Sequence, residues 1–275
     1  MIAFPNAKIN IGLFITARRP DGYHDIASVM MPVDWCDILE IVPAKDGVTT
    51  LTVTGRRVDC PQEKNLVMRA YRAMAERYNL PPVDIFLRKI IPDGAGLGGG
   101  SADAAFTITT LDKLFGLGLS DDVMTGIAAT IGSDCPFFIY NRPMHATGTG
   151  TTLSPVSLSM KGHTLVIVKP HVHVSTAEAY GGCRPRPSTL SLPDVLATVP
   201  PEEWKQAGIK NDFEETVFSH HPLIAEIKST LYDMGAEYAS MSGSGASVFG
   251  IFGRDILAED IEKTFPETDF HISRL

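Results

Sequence analysis

The chain has 275 residues, room for two domains at roughly 100–200 residues each. Hydrophobic residues make up 44% and charged residues 20%, a balance that supports a substantial core, and no apolar run approaches the ~20 residues of a membrane-spanning helix. The formal charge is −8 and no lysine/arginine run forms a stripe, which disfavours nucleic acid as a partner and leaves an anionic ligand dependent on a local cluster of donors.

The first residues, Met1 to Asn6, show no basic segment followed by an apolar block, so no signal peptide is expected. From there, Ala7, Ile9, Ile11, Leu13 and Ile15 alternate with Lys8, Asn10, Gly12 and Phe14. A period of two predicts a strand that carries Lys8 and Asn10 on one face. Asp21-Gly22 marks a turn, and strands are expected at 26–33, 38–42 and 50–54. Leu66, Val67, Ala70, Ala73, Met74 and Tyr78 stripe a helix from 65 to about 78. Val83, Ile85, Leu87, Lys89 and Ile91 read as one face of a strand that ends in a glycine-rich loop. Ser101 is placed to cap the next helix, with stripe Ala104, Ala105, Ile108, Leu111 and Phe115. A further helix is expected from Ser120 to Ile131, stopped by Gly132.

A second domain is expected from residue 156, which divides the chain into 1–155 and 156–275. Thr164–Val168, a helix over 222–234, strands at 237–241 and 247–252, a helix over 256–265 and a strand at 270–273 give the order βαββαβ of a split βαβ layer. The Pro/Arg-rich piece Cys183–Pro187 and the residues on to Pro201 read as a connection. Cys36, Cys60, Cys135 and Cys183 have neither metal nor redox spacing and read as reduced, mostly packed thiols of a cytoplasmic protein. His171 and His173 read as two histidines on one face of a strand, and two ligands make no zinc site, so no metal-ligating residues are assigned.

The densest signal is Pro92-Asp93-Gly94-Ala95-Gly96-Leu97-Gly98-Gly99-Gly100-Ser101-Ala102, with five glycines in the seven residues 94–100. So much glycine is costly in conformational entropy, and it leaves backbone N–H groups open to an anion. Strand, glycine loop and helix N-terminus together make a phosphate cradle. A flexible linker would not be bounded so tightly by a strand and a capped helix. The P-loop signature is absent, because Gly99-Gly100 precede Ser101 with no lysine. Gly94-x-Gly96-x-x-Gly99 matches the dinucleotide fingerprint of an oxidoreductase to the letter. The preceding strand alternates polar and apolar residues, however, and three or more β segments come before it, unlike a first βα turn.

This loop resembles the phosphate loop of the GHMP kinases, and two further segments agree. Ala7-Lys8-Ile9-Asn10 is similar to the family's first motif, and Met241-Ser242-Gly243-Ser244-Gly245-Ala246 to its C-terminal glycine motif. Order and spacing fit along nearly the whole chain. The resemblance implies an α+β, two-domain architecture with a ribosomal-protein S5 domain 2-like N-terminal domain and a ferredoxin-like C-terminal domain. It implies an ATP-dependent small-molecule kinase with Mg²⁺ as cofactor. Pro92 to Ala102 would hold the ATP phosphates, and Asn65 and Lys89 the adenine side. Ala102 stands where many relatives have a second serine.

Asp21-Gly22-Tyr23-His24 is the most specific stretch. It points to members that act on a cytidine-diphosphate-linked small molecule of isoprenoid precursor biosynthesis, as a monomer or homodimer in the cytoplasm, without nucleic acid or membrane. Tyr23 and His24 would take the cytidine end, Tyr180 would stack where relatives carry phenylalanine, and Asn10 would bond the substrate near the reacting hydroxyl. Asp134, between Gly132 and an apolar run, would be the general base, with Lys8 as its electrostatic partner. The residues alone leave blander readings open: an Asp past a helix end forms turns, and Tyr23-His24 suit a surface loop. Another small-alcohol kinase, an NAD-dependent oxidoreductase and a nucleotide- or RNA-binding module are the alternatives.

Overall fold

A computed structural model describes residues 1–58, 60–188 and 190–275. The first strands are β1 (Ile2–Ala3), β2 (Asn6–Arg18), β3 (His24–Cys36), β4 (Ile38–Pro43) and β5 (Thr50–Gly55). They are followed by α1 (Leu66–Tyr78), β6 (Val83–Lys89), α2 (Gly99–Phe115), α3 (Asp121–Ala129) and α4 (Cys135–Tyr140). Next come β7 (Met144–Gly148), β8 (Thr152–Pro155), β9 (Thr164–Pro170), α5 (Thr176–Gly181), α6 (Leu192–Thr198) and α7 (Phe213–His220). The chain closes with α8 (Pro222–Asp233), β10 (Tyr238–Met241), β11 (Val248–Phe252), α9 (Ala258–Thr264) and β12 (Thr268–Arg274).

Two compact units emerge, and each takes more than one stretch of chain. The first comprises Met1–Lys8, Pro32–Asp93 and Gly98–Arg142; the second comprises Ile9–Met31, Gly94–Leu97 and Pro143–Leu275.

The first unit holds the sheet β1-β4-β6-β5, in which β5 runs parallel to β6 and the other pairs are antiparallel. The alternation read in the sequence buries Val83, Ile85 and Leu87 of β6 and leaves Phe86 and Arg88 exposed. The buried face packs with Val67, Ala70 and Met74 of α1 and Ala104, Ile108 and Leu111 of α2. Asn65 caps α1 by accepting the Val67 N–H at 3.0 Å, and Ser120 caps α3 through Val123.

The second unit holds most of β2-β3-β7-β8, with β2 from Ile9 and β3 as far as Met31, and the sheet β10-β11-β9-β12. In the latter every pairing is antiparallel. With α8 between β9 and β10 and α9 between β11 and β12, this is the expected ferredoxin-like split βαβ layer. Leu13 and Ile15 of β2 share its core with Val166, Val168, Ile227 and Leu231.

Several local expectations change. The glycine-loop helix begins at Gly99 with Gly98 at its cap, so Ser101 lies inside the first turn and does not cap it. Gly98, at φ 72°, takes the left-handed conformation and turns the chain before Ser101 is reached. Helix α3 ends at Ala129 on Thr130, ahead of Gly132. His171 and His173 follow β9, which stops at Pro170, and so share no strand face. The connection before Pro201 contains α6, whose Leu192 and Leu196 are buried.

Candidate active site

The first unit brings Lys8 and Asp134 together: Lys8 Nζ lies 3.6 Å from Asp134 Oδ2. The lysine side chain is 4% exposed and the carboxylate 32% exposed. Lys8 therefore sits as a nearly desolvated cation beside a carboxylate that still meets solvent. Asp134 precedes α4 and makes no capping hydrogen bond to it, which leaves its oxygens turned to other work.

The start of α2 is built against that pair. A methyl group added at Gly98 would lie 2.9 Å from Phe138 Cζ and 3.2 Å from Lys8 Cγ. Only glycine fits this approach and its positive φ together. The first α2 bond runs from the Ala102 N–H to the Gly98 carbonyl at 2.9 Å. The amides of Gly99, Gly100 and Ser101 precede that ladder, as the first N–H groups of any helix do, and they head a 17-residue helix. Ala102 is buried in α2.

Asn65, Lys89 and Gly100 line one cavity of about 220 Å³ with Asp93 and Asp103. Asn65 is occupied at its carbonyl by the cap of α1. Lys89 is 5% exposed and bonds Asp37 and, at 2.7 Å, Asp103. Burial pulls the Lys89 ammonium down, and the charges of Asp103 and Asp37 outweigh it, so its pKa ends above the ordinary lysine value. Burial likewise pushes Asp103 up to about 7 against the pull of Lys89, with Asp37 reinforcing the rise. Asp103 Oδ1 has no hydrogen-bond partner among the described residues, so no donor there offsets the cost of burying a charged oxygen. Sequence reasoning singled out Lys89 without its two carboxylates, because Asp37 lies 52 positions away and falls in no motif.

The second unit holds the other half of the glycine loop, Gly94–Leu97, against the glycine motif. Ser242 Oγ donates to the Gly96 carbonyl at 3.0 Å, and the Ser247 N–H to the Ala95 carbonyl at 3.2 Å. At Gly96 a methyl group would stand 2.0 Å from the Ser242 carbonyl oxygen, at φ 72°. Asn211 Nδ2 clamps the motif by donating to the carbonyls of Met241 and Gly243, each at 2.8 Å. Glu214 adds a carboxylate to the Met241 N–H and pairs with Lys228. Asn211 and Glu214 lie in the stretch Asn211-Asp212-Phe213-Glu214, whose resemblance to the family carried no assigned role; both are buried polar side chains, and the strand they brace reveals their use.

Asn10 is 2% exposed; its Nδ2 donates to Ser28 Oγ at 2.8 Å and its backbone N–H donates to Ser242 Oγ at 3.3 Å. His24 and Tyr180 are stacked, with centroids 4.8 Å apart and planes at 19°. Phe213 meets Tyr180 edge-on at 4.7 Å. Tyr23 is 67% exposed, with its N–H on Asp21 Oδ1 and its carbonyl on Arg19. Pro92 is buried at the end of the first-unit stretch that β6 leads.

A glycine loop entering a helix, a lysine–carboxylate pair and a second glycine motif that braces the loop define a class of phosphotransferase. The GHMP kinase N-terminal domain model matches residues 65–142 and the GHMP kinase C-terminal model residues 202–268. The chain belongs to the GHMP kinases and is an ATP-dependent small-molecule kinase. It is 54% identical over 252 residues to 4-diphosphocytidyl-2-C-methyl-D-erythritol kinase of Parabacteroides distasonis, covering 92% of each. It is 48% identical to the enzyme of the same name from Bacteroides thetaiotaomicron, covering 98% of this chain and 96% of that one. A crystal structure of 4-(cytidine 5'-diphospho)-2C-methyl-D-erythritol kinase superposes with a TM-score of 0.81 at 29% identity, covering 99% and 98% of the two chains.

Proposed function

We propose that this kinase transfers the γ-phosphoryl group of ATP to the 2-hydroxyl of 4-diphosphocytidyl-2-C-methyl-D-erythritol, a step of isoprenoid precursor biosynthesis. The observation that carries the chemistry is the Lys8–Asp134 pair at 3.6 Å, with Gly98 packed on Lys8 at the start of α2. The substrate follows from the names of the relatives at 54% and 48% identity and from the Tyr23-His24 stretch.

In this reading Asp134 takes the proton from the substrate hydroxyl as its oxygen attacks the γ-phosphorus. Lys8 positions the carboxylate and offsets negative charge on the transferred group. The amides of Gly99, Gly100 and Ser101 receive phosphate oxygens, aided by the positive end of α2. Positioning and charge neutralisation thus supply most of the catalysis. Asn65 and Lys89 would border the adenine, and Tyr23, His24 and Tyr180 the cytosine, whose flat ring suits the stacked pair. Asn10 would orient the reacting alcohol.

Mg²⁺ fits as the companion of the nucleotide, since this ion prefers oxygen donors and takes few of them from protein. Among the described residues no group of three or more His, Cys, Asp or Glu forms a cage for it. The Ser101 hydroxyl in the first turn of α2 is the oxygen that would hold it, and the ion would neutralise phosphate charge there.

ADP release from ATP, Mg²⁺ and 4-diphosphocytidyl-2-C-methyl-D-erythritol tests the proposal. Asp134→Asn should lower kcat by about 10²–10⁴-fold, the range for loss of a general base. Turnover near wild type in that variant removes Asp134 from the role. An unmodified enzyme that ignores this substrate and phosphorylates another small alcohol keeps the kinase and discards the acceptor.

A further inference from the structure

The second unit has a cavity of about 240 Å³ that shares no residue with the proposed catalytic, nucleotide or cytidine groups. Its wall carries three cations, Arg184, Arg186 and Lys210, against two carboxylates, Asp212 and Glu215. Asp212 is already consumed: Oδ1 pairs with Lys210 at 2.9 Å and Oδ2 accepts the Ile15 N–H at 2.9 Å. Burial, with Asp212 and Glu215 adding to it, pushes the Cys183 thiol on the same wall up to about 11, so it contributes no negative charge. The two guanidinium groups have no hydrogen bond or ion pair to any described residue. A local excess of positive charge therefore stands in a chain whose net charge is −8.

The backbone that carries these arginines is restrained. In Arg184-Pro185-Arg186-Pro187 each proline fixes its own φ and holds the preceding arginine extended. The Arg186 N–H donates to the Ile15 carbonyl at 2.9 Å, which ties the segment to β2. The two arginines are thus carried roughly 6 Å apart along an extended backbone, and both line the same cavity. A guanidinium fork binds phosphoryl oxygens in pairs, and restraint before binding lowers the entropy lost on binding.

We propose that this cavity is a second anion site, and that it takes the diphosphate group of a small molecule between Arg184 and Arg186. One fork meets each phosphorus. The ring of Phe14, also in the wall, offers an apolar surface to whatever the diphosphate carries. Gly182 joins the cavity to α5, which bears Tyr180, so occupancy bears on the aromatic pair proposed for the cytosine.

Calorimetric titration of the full-length protein with inorganic diphosphate, and separately with ADP, tests this. Adenosine and cytidine, which carry no diphosphate, are kept saturating throughout, so the nucleoside pockets of the kinase site are filled while the second site stays open. One equivalent of either probe should bind through Arg184 and Arg186. The double substitution Arg184→Ala/Arg186→Ala should weaken it at least tenfold with the unfolding midpoint unchanged, since both side chains are exposed. Arg184→Lys/Arg186→Lys, which keeps charge and loses the forks, should also weaken it. Preference for one probe tells free diphosphate from an ester. No binding, or equal binding by the alanine double variant, overturns the proposal. None of these outcomes depends on which alcohol the kinase phosphorylates.

Discussion

At the scale of single residues, charge and burial must be read together. Lys8 could be singled out because a lysine in an apolar strand needs a partner, and Asp134 because it stands before an apolar run. Their meeting at 3.6 Å was beyond local pattern, since 126 positions separate them. The group around Lys89 was less legible still. One cation there faces two carboxylates in a dry interior, so one negative charge is in excess. Asp103 bears that excess, and its carboxyl is raised well above the ordinary range, to about 7. A group whose folded pKa is raised binds more protons when folded. Its stabilising contribution is complete below the unfolded value near 4 and is lost as pH rises through the folded one. Asp103→Asn should therefore gain on the wild type in unfolding midpoint between about pH 4 and pH 7, with the gap levelling off above. Asparagine keeps an acceptor for Lys89 without the surplus charge. Parallel wild-type and variant curves across that range would mean that Asp103 is ionised in the folded protein throughout.

At the scale of elements, the glycine loop was the clearest text in the sequence, and its details depended on a partner the text does not name. Five glycines in the seven residues 94–100 announce backbone exposure, but each glycine has its own reason. Gly96 combines φ 72° with a carbonyl oxygen 2.0 Å from where a methyl group would stand. Gly100 lies within the first turn of α2, and a methyl group there would meet only Leu66 Cδ1 at 3.6 Å. Gly96→Ala should destabilise by more than the ~1–2 kcal/mol that left-handed backbone costs an L-residue. The Ser242 carbonyl must also move, and the KM for ATP should rise with it. Gly100→Ala should leave stability unchanged or better, because alanine favours helix by ~1 kcal/mol over glycine. Denaturant unfolding of both variants decides the matter, and equal tolerance would break the link between the glycine motif and the loop. The misplaced cap at Ser101 has the same origin. A serine before an apolar stripe reads as a cap, but the left-handed turn at Gly98 had already started the helix.

At the scale of the whole molecule, periodicity gave element types well and chain assignment poorly. The order βαββαβ of β9, α8, β10, β11, α9 and β12 was readable because α8 and α9 carry apolar stripes between strands. Sequence order places β2 among the first elements, and nothing in its residues says that its core partners lie 150 positions downstream. Leu13 is 4% exposed and Ile15 is fully buried, among Val166, Val168, Phe213, Ile227 and Leu231. The bridge from Leu13 to Asn211 and the hydrogen bonds of Leu13 and Ile15 with Lys210 and Asp212 tie the same strand to late residues by its backbone. A fragment cut after residue 155 would keep the first unit entire and strip β2 of those partners. Its newly exposed Leu13 and Ile15 would lose ~1.5–3 kcal/mol of burial each, against a domain stability of only ~5–15 kcal/mol. Buried backbone groups released along β2 would add to the loss. The fragment 1–155 should therefore bind a hydrophobic dye strongly and unfold over a broad denaturant range, where the full chain gives a steep transition. Restoring 156–275 as a separate polypeptide should sharpen the transition and quench the dye. A fragment that unfolds as steeply as the intact protein, with no dye binding, would show that β2 needs none of its late partners.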